Sequence, residues 1–187
     1  MAEILFVNAC VRPHSRTLEL AKRVLEQLSG EVEEVKLYNE KLSPLDLAEM
    51  EIRGKAARTK DFSGEVFALA RQFARAETIV IAAPYWDLMF PAVVKTYFEK
   101  ITVNGLTFAY GANGFPQGLC KVKRLIYVTT AGGPIVHNFG YEYVSALAKN
   151  FYGIKEVQCV QAEGLDIYGA DVAQIMCEAK KAFTDAS

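Results

Sequence analysis

The chain of 187 residues has the length of a single domain (residues 1–187), and its 21 Lys and Arg against 22 Asp and Glu give a formal charge of -1. That near-neutral balance argues against a nucleic-acid-binding protein and a strongly acidic electron shuttle, and no apolar run approaches the roughly 20 residues that span a membrane. The four cysteines stand singly, so neither a zinc nor an iron–sulfur site is predicted, and with no signal peptide ahead of the first strand a cytoplasmic protein with reduced thiols is expected.

The predicted elements alternate between strands and helices along the chain. Short apolar or alternating segments predict strands at residues 3–8, 32–38, 79–83, 124–130 and 154–160. Apolar residues at helical spacing predict helices that begin at Thr17, after Ser63, at Pro91, at Tyr141 and after Asp171. Residues 39–61 carry many charges and predict a partly helical surface segment that is able to move, and residues 103–122 predict a small surface hairpin.

The order of these elements predicts an α/β fold. Five strands joined by crossovers long enough to hold a helix predict a doubly wound parallel sheet with helices on both faces. The common strand order 2-1-3-4-5 places the first and third strands side by side, where the winding direction reverses. Ligands bind at that point, outside the carboxyl ends of the strands. The loops expected to meet there are residues 9–16 and residues 84–90.

The loop after the first strand is suited to a phosphate group. It brings two hydroxyls and two guanidiniums to the start of a helix, where free N–H groups and the helix dipole favour an anion. Ser15 or Thr17 as a simple N-cap is the alternative, but neither has Glu or Gln three residues later, so no capping box competes. The GxxxxGK[ST] and GxGxxG phosphate motifs are absent, and Asn8-Ala9 lacks the acidic residues of a response-regulator receiver.

The loop after the third strand is unusually aromatic. It contains Pro84, Tyr85, Trp86, Asp87 and Leu88. Loops are normally polar because they run over the surface, so this one either packs on a neighbour or subunit or lies against a flat ligand. After the fourth strand come Thr130, Ala131, Gly132 and Gly133, whose glycines allow backbone N–H groups to approach a ligand closely. The three loops together predict a mononucleotide site that fits FMN.

Several blocks of the chain, in order and spacing, resemble a known family. They are residues 84–91, 105–110, 118–119, 130–133 and 162–164. Together they resemble the FMN-dependent NADH-azoreductase and NAD(P)H:quinone reductase family, which has a flavodoxin-like fold, and the resemblance runs from Ile4 to Phe183. It implies a homodimer with one FMN per subunit near the interface, a hydride taken from NADH or NADPH onto the flavin, and two electrons passed to a quinone or azo compound.

The resemblance also implies roles for individual residues. Ser15, Arg16 and Thr17 would hold the phosphate, residues 85–88 would lie along the isoalloxazine, and residues 130–133 would contact its polar edge. Phe108 and Tyr110 are candidates for the partner's substrate pocket or for the dimer contact, and His137 is a candidate for the flavin edge or the substrate. No side chain is expected to act as a nucleophile or general base, because hydride transfer is the cofactor's chemistry.

The chain departs from the family pattern at three places. The family often has Asn at the position of Asp87, Ser-Arg at that of Thr130-Ala131, and a flavin-contacting Ser near Cys10. If Asp87 contributes only its backbone N–H the change is harmless, whereas a carboxylate that faces the ring disfavours an anionic reduced flavin. Two alternative functions stay open, a flavodoxin-type electron carrier without nicotinamide turnover and a non-catalytic FMN-binding regulatory protein.

Overall fold

The computed structural model describes residues 3–184 and is built around a five-stranded parallel sheet. The strands are β1 (Glu3–Asn8), β2 (Glu31–Lys36), β3 (Thr78–Ala82), β4 (Phe108–Tyr110), β5 (Pro116–Gly118), β6 (Arg124–Thr130) and β7 (Glu156–Ala162). The sheet order is β2-β1-β3-β6-β7, and β4 and β5 form a separate antiparallel pair. The predicted order 2-1-3-4-5 is therefore confirmed, with β6 and β7 as the fourth and fifth strands of the sheet.

Six α-helices cover both faces of this sheet within the described residues. They are α1 (Arg16–Leu25), α2 (Leu47–Thr59), α3 (Ala68–Arg75, after a 3-10 turn at Glu65–Phe67), α4 (Ala92–Ile101), α5 (Phe139–Asn150) and α6 (Val172–Thr184). Helices α1 and α6 pack on one face, and α3, α4 and α5 pack on the other. No helix in this part of the chain is long and apolar enough to cross a bilayer.

The apolar strands are explained by burial on both faces. Ile4 and Phe6 of β1 face the core under α1 and α6, whereas Leu5 and Val7 face the core under α3, α4 and α5. Successive side chains of a strand point to opposite faces, so a central strand covered on both sides has no solvent-facing position to fill with polar residues. This is why the runs that predicted β1 and β3 do not alternate.

Most element boundaries differ from the prediction by one or more residues, and the end of α1 and the start of β7 are two examples. The helix predicted to begin at Thr17 begins one residue earlier, at Arg16, and it ends at Leu25, because residues 26–28 continue as tighter turns in which the Leu28 N–H donates to the Leu25 oxygen at 3.0 Å. The last strand begins at Glu156 rather than Ile154, whose side chain instead packs into the core beside α5. Apolar periodicity predicts which side chains are buried more reliably than the residue at which a helix or strand ends.

The segment at residues 39–61 is partly helical, as predicted, and α2 is fastened to the end of α4. The Arg53 guanidinium donates to the backbone oxygens of Glu99 and Lys100, each at 2.9 Å, and to the Glu49 carboxylate. Lys100 donates to the same carboxylate, and the three charged side chains are only 11–12% exposed. Since orphan carbonyls at a helix end need partners, Arg53 caps α4 and holds α2 in place.

The predicted hairpin is also present. Strands β4 and β5 pair in register from Phe108 opposite Gly118 to Tyr110 opposite Pro116. Gly118 lies so close to the chain after α5 that a Cβ built on it would be 2.0 Å from the Tyr152 carbonyl oxygen. Only glycine fits there, so this close approach fixes the hairpin against the end of α5.

Candidate active site

A cavity of about 330 Å³ opens where β1, β3 and β6 end. Its walls come from the loop after β1, the loop after β3 and the loop after β6, together with one residue that follows β7. The lining residues are Val11, Arg12, His14, Ser15, Arg16, Thr17, Pro84, Tyr85, Trp86, Thr130, Ala131, Gly132 and Asp166. The two loops predicted from the strand order thus meet at the winding reversal, together with the loop after β6, and the cavity lies within the size range of ligand pockets.

One end of the cavity is the first turn of α1. Ser15 is the N-cap, and its Oγ accepts a hydrogen bond from the Leu18 N–H at 3.3 Å. The next two backbone N–H groups, those of Arg16 and Thr17, donate to no acceptor within residues 3–184. A helix N-terminus with unpaired N–H groups favours a bound anion, so Ser15 caps the helix and still leaves donors for a phosphate.

The side chains of Arg16 and Thr17 have partners inside the protein. Arg16 donates from Nη1 to the Leu165 oxygen at 2.8 Å and from Nη2 to Asp166 Oδ1 at 2.6 Å. The Thr17 hydroxyl is buried and lies 2.6 Å from the hydroxyl of Thr130. Both side chains therefore connect the start of α1 to loops on the far side of the cavity, an arrangement that sequence reasoning missed.

The aromatic loop contains a two-residue turn that presents Trp86. The Trp86 N–H donates to the Met89 oxygen at 2.9 Å, and the Met89 N–H donates to the Trp86 oxygen at 2.8 Å. The central residues, Asp87 and Leu88, have φ of 51° and 68°. Positive φ at both positions is the signature of a type I′ turn, which ordinarily selects Asn-Gly. With Asp-Leu instead, the sequence carried no signal for this turn.

The turn leaves the aromatic wall accessible. Trp86 is 41% exposed and Leu88 46% exposed. Tyr85 is held by its N–H, which donates to the Thr130 oxygen at 3.1 Å, and by its hydroxyl, which donates to the His137 oxygen at 2.9 Å. Asp87 and Leu88 do not line the cavity, and their N–H groups have no acceptor in the described part of the chain. Tyr85 and Trp86 contribute aromatic side chains to the cavity wall, and the N–H groups of Asp87 and Leu88 at the tip of the turn have no acceptor among residues 3–184.

The loop after β6 is joined to the loop after β7. The Asp166 N–H donates to the Gly132 oxygen at 2.9 Å, and the Gly164 N–H donates to the Gly133 oxygen at 3.0 Å. A Cβ built on Gly132 would lie 2.1 Å from Asp166 Oδ2, whereas one on Gly133 would meet nothing within 4 Å. A side chain at position 132 would therefore have to displace the Asp166 carboxylate, and Gly132 also lines the cavity, where the sequence predicts a close approach to a ligand.

The remaining candidates lie outside this cavity. Phe108 is buried and packs edge-on against Tyr110 and Phe151, with ring centroids 5.4 and 5.1 Å away. It lines a second cavity of about 610 Å³ between α2, α4 and α5. The His137 ring is exposed and stacks on Phe139 with centroids 5.3 Å apart. Neither Phe108 nor His137 is among the residues that line the cavity beside Tyr85 and Trp86.

Comparison with known proteins places the chain in a family. Residues 2–186 match the family model described as a flavodoxin-like fold. An FMN-dependent NADH:quinone oxidoreductase of Lachnoclostridium phytofermentans is 34% identical, over 97% of this chain and 96% of its own. The chain belongs to the FMN-dependent NADH:quinone oxidoreductase and azoreductase family. The predicted resemblance and flavodoxin-like fold are confirmed.

Other members of the oxidoreductase family agree over the full length. The FMN-dependent NADH:quinone oxidoreductase of Coprothermobacter proteolyticus is 32% identical over 97% of this chain and 96% of its own. The crystal structure of an azoreductase from Bacillus anthracis strain Sterne superposes with a TM-score of 0.83 at 26% identity, covering 98% of this chain and 99% of that one.

Two of the positions at which this chain departs from the family pattern, Ala131 and Cys10, can be described by their surroundings in the structure. Ala131 is buried, and its N–H donates to the Ala162 oxygen at 2.9 Å. Because its side chain is a methyl group, this position brings no guanidinium to the cavity wall. Cys10 does not line the cavity, and burial raises the pKa of its thiol. The described residues hold no group of three or more His, Cys, Asp or Glu side chains placed to bind a metal.

Proposed function

We propose that this family member is an FMN-dependent oxidoreductase that takes a hydride from NADH or NADPH and passes two electrons to a quinone or azo compound. The observation that carries the proposal is the cavity in which the free N–H groups at the start of α1 lie at one end and Tyr85 and Trp86 form a wall at the other. A phosphorylated flat cofactor needs both features.

The phosphate end has the donors that a phosphate monoester requires. We assign the phosphate to the Arg16 and Thr17 N–H groups, the Ser15 hydroxyl and the Arg12 side chain. Arg12 lines the cavity, is exposed, and makes no hydrogen bond or ion pair with any residue between 3 and 184. Backbone donors, a helix dipole and a guanidinium together suit a dianion better than any one of them alone.

The ring end suits an isoalloxazine. Tyr85 and Trp86 offer aromatic surfaces within the cavity, and next to it, at the tip of the turn, the N–H groups of Asp87 and Leu88 have no acceptor in the described part of the chain. Residues 130–133 close the opposite side. FMN supplies the hydride and electron transfer when it is bound, and the protein contributes position, orientation and electrostatics. No nucleophile or general base is assigned among the side chains.

We further propose that the protein works as a homodimer in which Phe108 and Tyr110 reach the partner's site or its rim. The apolar groove between α4 and α5 supports this, since Phe98, Tyr143 and Phe151 line it. The neighbouring Leu47 and Met50 of α2 are exposed, as is Tyr110. Exposed apolar surface of this kind marks an interaction site. The four free cysteines support the proposed cytoplasmic location.

The test uses the purified protein with added FMN under anaerobic conditions. We expect a yellow complex that NADH or NADPH bleaches and that a benzoquinone or an azo dye restores. A colourless protein that ignores FMN would refute the proposal. Bound flavin that neither nicotinamide reduces would favour the electron carrier, and bound flavin that is reduced but reaches no acceptor would favour the regulatory protein.

A further inference from the structure

A pair of charged side chains joins the two ends of the candidate site. Arg16 belongs to the first turn of α1, and Asp166 follows β7, 150 residues later. Arg16 donates to the Asp166 carboxylate at 2.6 Å and to the Leu165 oxygen at 2.8 Å. Asp166 in turn binds the loop after β6 through its N–H, which donates to the Gly132 oxygen at 2.9 Å. The ion pair therefore joins α1 to the loop after β7, and a backbone hydrogen bond joins that loop to the loop after β6.

The geometry separates Arg16 from the other guanidinium at this end. Both terminal nitrogens of Arg16 already have acceptors within the protein. Arg12, which lines the same cavity, has no acceptor in the described part of the chain. Because two of the five N–H groups of Arg16 already donate to the protein, whereas all five of Arg12 lack an acceptor in the described part of the chain, Arg12 is the better placed of the two to bind a phosphate.

The Asp166 carboxylate also determines where the glycine loop lies. Its Oδ2 occupies the space that a side chain at position 132 would need, 2.1 Å from an ideal Cβ. The carboxylate thus packs directly on the Gly132 backbone while Arg16 holds its other oxygen. Removing either charged side chain takes away the contact of this pair with α1, while the backbone hydrogen bonds between the loops after β6 and β7 remain.

We propose that Arg16 and Asp166 are positioning residues that hold the Gly132 loop for the flavin ring, and that Arg12 supplies the guanidinium for the phosphate. The inference rests on the proposed function, which it deepens by assigning different tasks to two arginines of one loop. It predicts that Arg12 distinguishes a phosphorylated flavin from an unphosphorylated one, whereas Arg16 and Asp166 do not.

Binding of FMN and of riboflavin, which lacks the phosphate, separates these roles. Dissociation constants are measured by quenching of flavin fluorescence for the unaltered protein, Arg12→Met, Arg16→Met and Asp166→Asn. Arg23→Met is the matched control, because Arg23 lies on the same helix, is 36% exposed like Arg16, and pairs with Glu19 at the same 2.6 Å. We expect the control to leave both constants unchanged.

Arg12→Met should weaken FMN binding by about 10- to 100-fold, the effect of one lost charge-assisted hydrogen bond, and leave riboflavin binding unchanged. Arg16→Met and Asp166→Asn should weaken both flavins by the same factor and change the visible absorption bands of the bound flavin. Arg12→Met should leave those bands as they are. The double variant Arg16→Met/Asp166→Asn should lose no more affinity than Arg16→Met, because the two side chains act as one unit.

The inference is wrong if Arg16→Met lowers the preference for FMN over riboflavin as strongly as Arg12→Met does, or if Asp166→Asn leaves both affinities intact. Urea unfolding of the flavin-free variants checks that each is folded, and a folded Asp166→Asn protein with unchanged bands contradicts the positioning role. An unaltered protein that binds neither flavin overturns the proposed function and this inference with it. If the unaltered protein binds FMN but the variants do not change the affinities for FMN and riboflavin as expected, only the inference is overturned.

Discussion

The turn at Asp87 and Leu88 stores backbone strain that a glycine should relieve. Leu88 has φ of 68°, in the left-handed region that costs an L-residue roughly 1–2 kcal/mol. Leu88→Gly removes that cost, but it also removes a leucine that is 46% exposed and adds flexibility to the unfolded chain, which costs about 0.5–1 kcal/mol. The strain can therefore be measured only against a control variant that also loses a half-exposed leucine side chain and also makes the unfolded chain more flexible.

Leu119→Gly is that control. Leu119 is 49% exposed, so it loses a similar amount of apolar contact, and its φ is not positive. The burial and flexibility terms then cancel, and the free energy of unfolding of Leu88→Gly should exceed that of Leu119→Gly by roughly 1–2 kcal/mol. Urea unfolding followed by circular dichroism measures both, with equal m-values as the condition for comparison. Equal stabilities, or a less stable Leu88→Gly, would refute the strain at this turn.

Three further predictions test other parts of the structure. Arg53→Met should lower the free energy of unfolding by about 2–4 kcal/mol in urea, whereas exposed Arg58→Met on the same helix should change it by under about 0.5 kcal/mol. Burial raises the pKa of Cys120 and of Cys159 from 9.0 to about 12, so the stability that each protonated thiol contributes is complete below pH 9 and lost between pH 9 and 12. The free energy of unfolding should fall by about 1.4 kcal/mol per pH unit for each thiol in this range. If its dependence on pH between 9 and 12 is the same in Cys120→Ala as in the unaltered protein, the prediction is contradicted. Asp87→Asn should shift the midpoint potential of bound FMN by less than about 30 mV, because the side chain is exposed and does not line the cavity; redox titration showing a larger rise would place the carboxylate against the ring.

The sheet and the location of the site could be predicted because their signals are local and repeated. Apolar runs such as those around Phe6 and Val80 identify strands buried on both faces, and the crossover lengths then leave few topologies. The doubly wound order fixes which loops meet, so an aromatic loop and a hydroxyl-rich loop could be placed together before any distance was known.

The side-chain partners inside the site could not be predicted, because nothing near Arg16 in sequence announces Asp166. A charged residue in a loop has many possible partners. Which partner Arg16 finds depends on the backbone hydrogen bonds that join the loops after β6 and β7. The same is true of the hydroxyl pair Thr17 and Thr130, 113 residues apart. The one usable signal was Gly132, since a glycine beside a strand end indicates a close approach without identifying what approaches.

These long-range pairs change how the phosphate-suited loop should be understood. A loop that only bound phosphate would need its hydroxyls and guanidiniums free, yet Thr17 and Arg16 are both used to tie α1 to the loops beyond β6 and β7. The backbone N–H groups and Arg12 remain for the anion. The Thr17 contact ends at Thr130, in the segment assigned to the ring, and the Arg16 contacts end in the loop that is hydrogen-bonded to that segment, so a shift at the start of α1 would move both ends of the site together. The loop therefore sets the distance between the phosphate donors and the aromatic wall, which a bound mononucleotide must span.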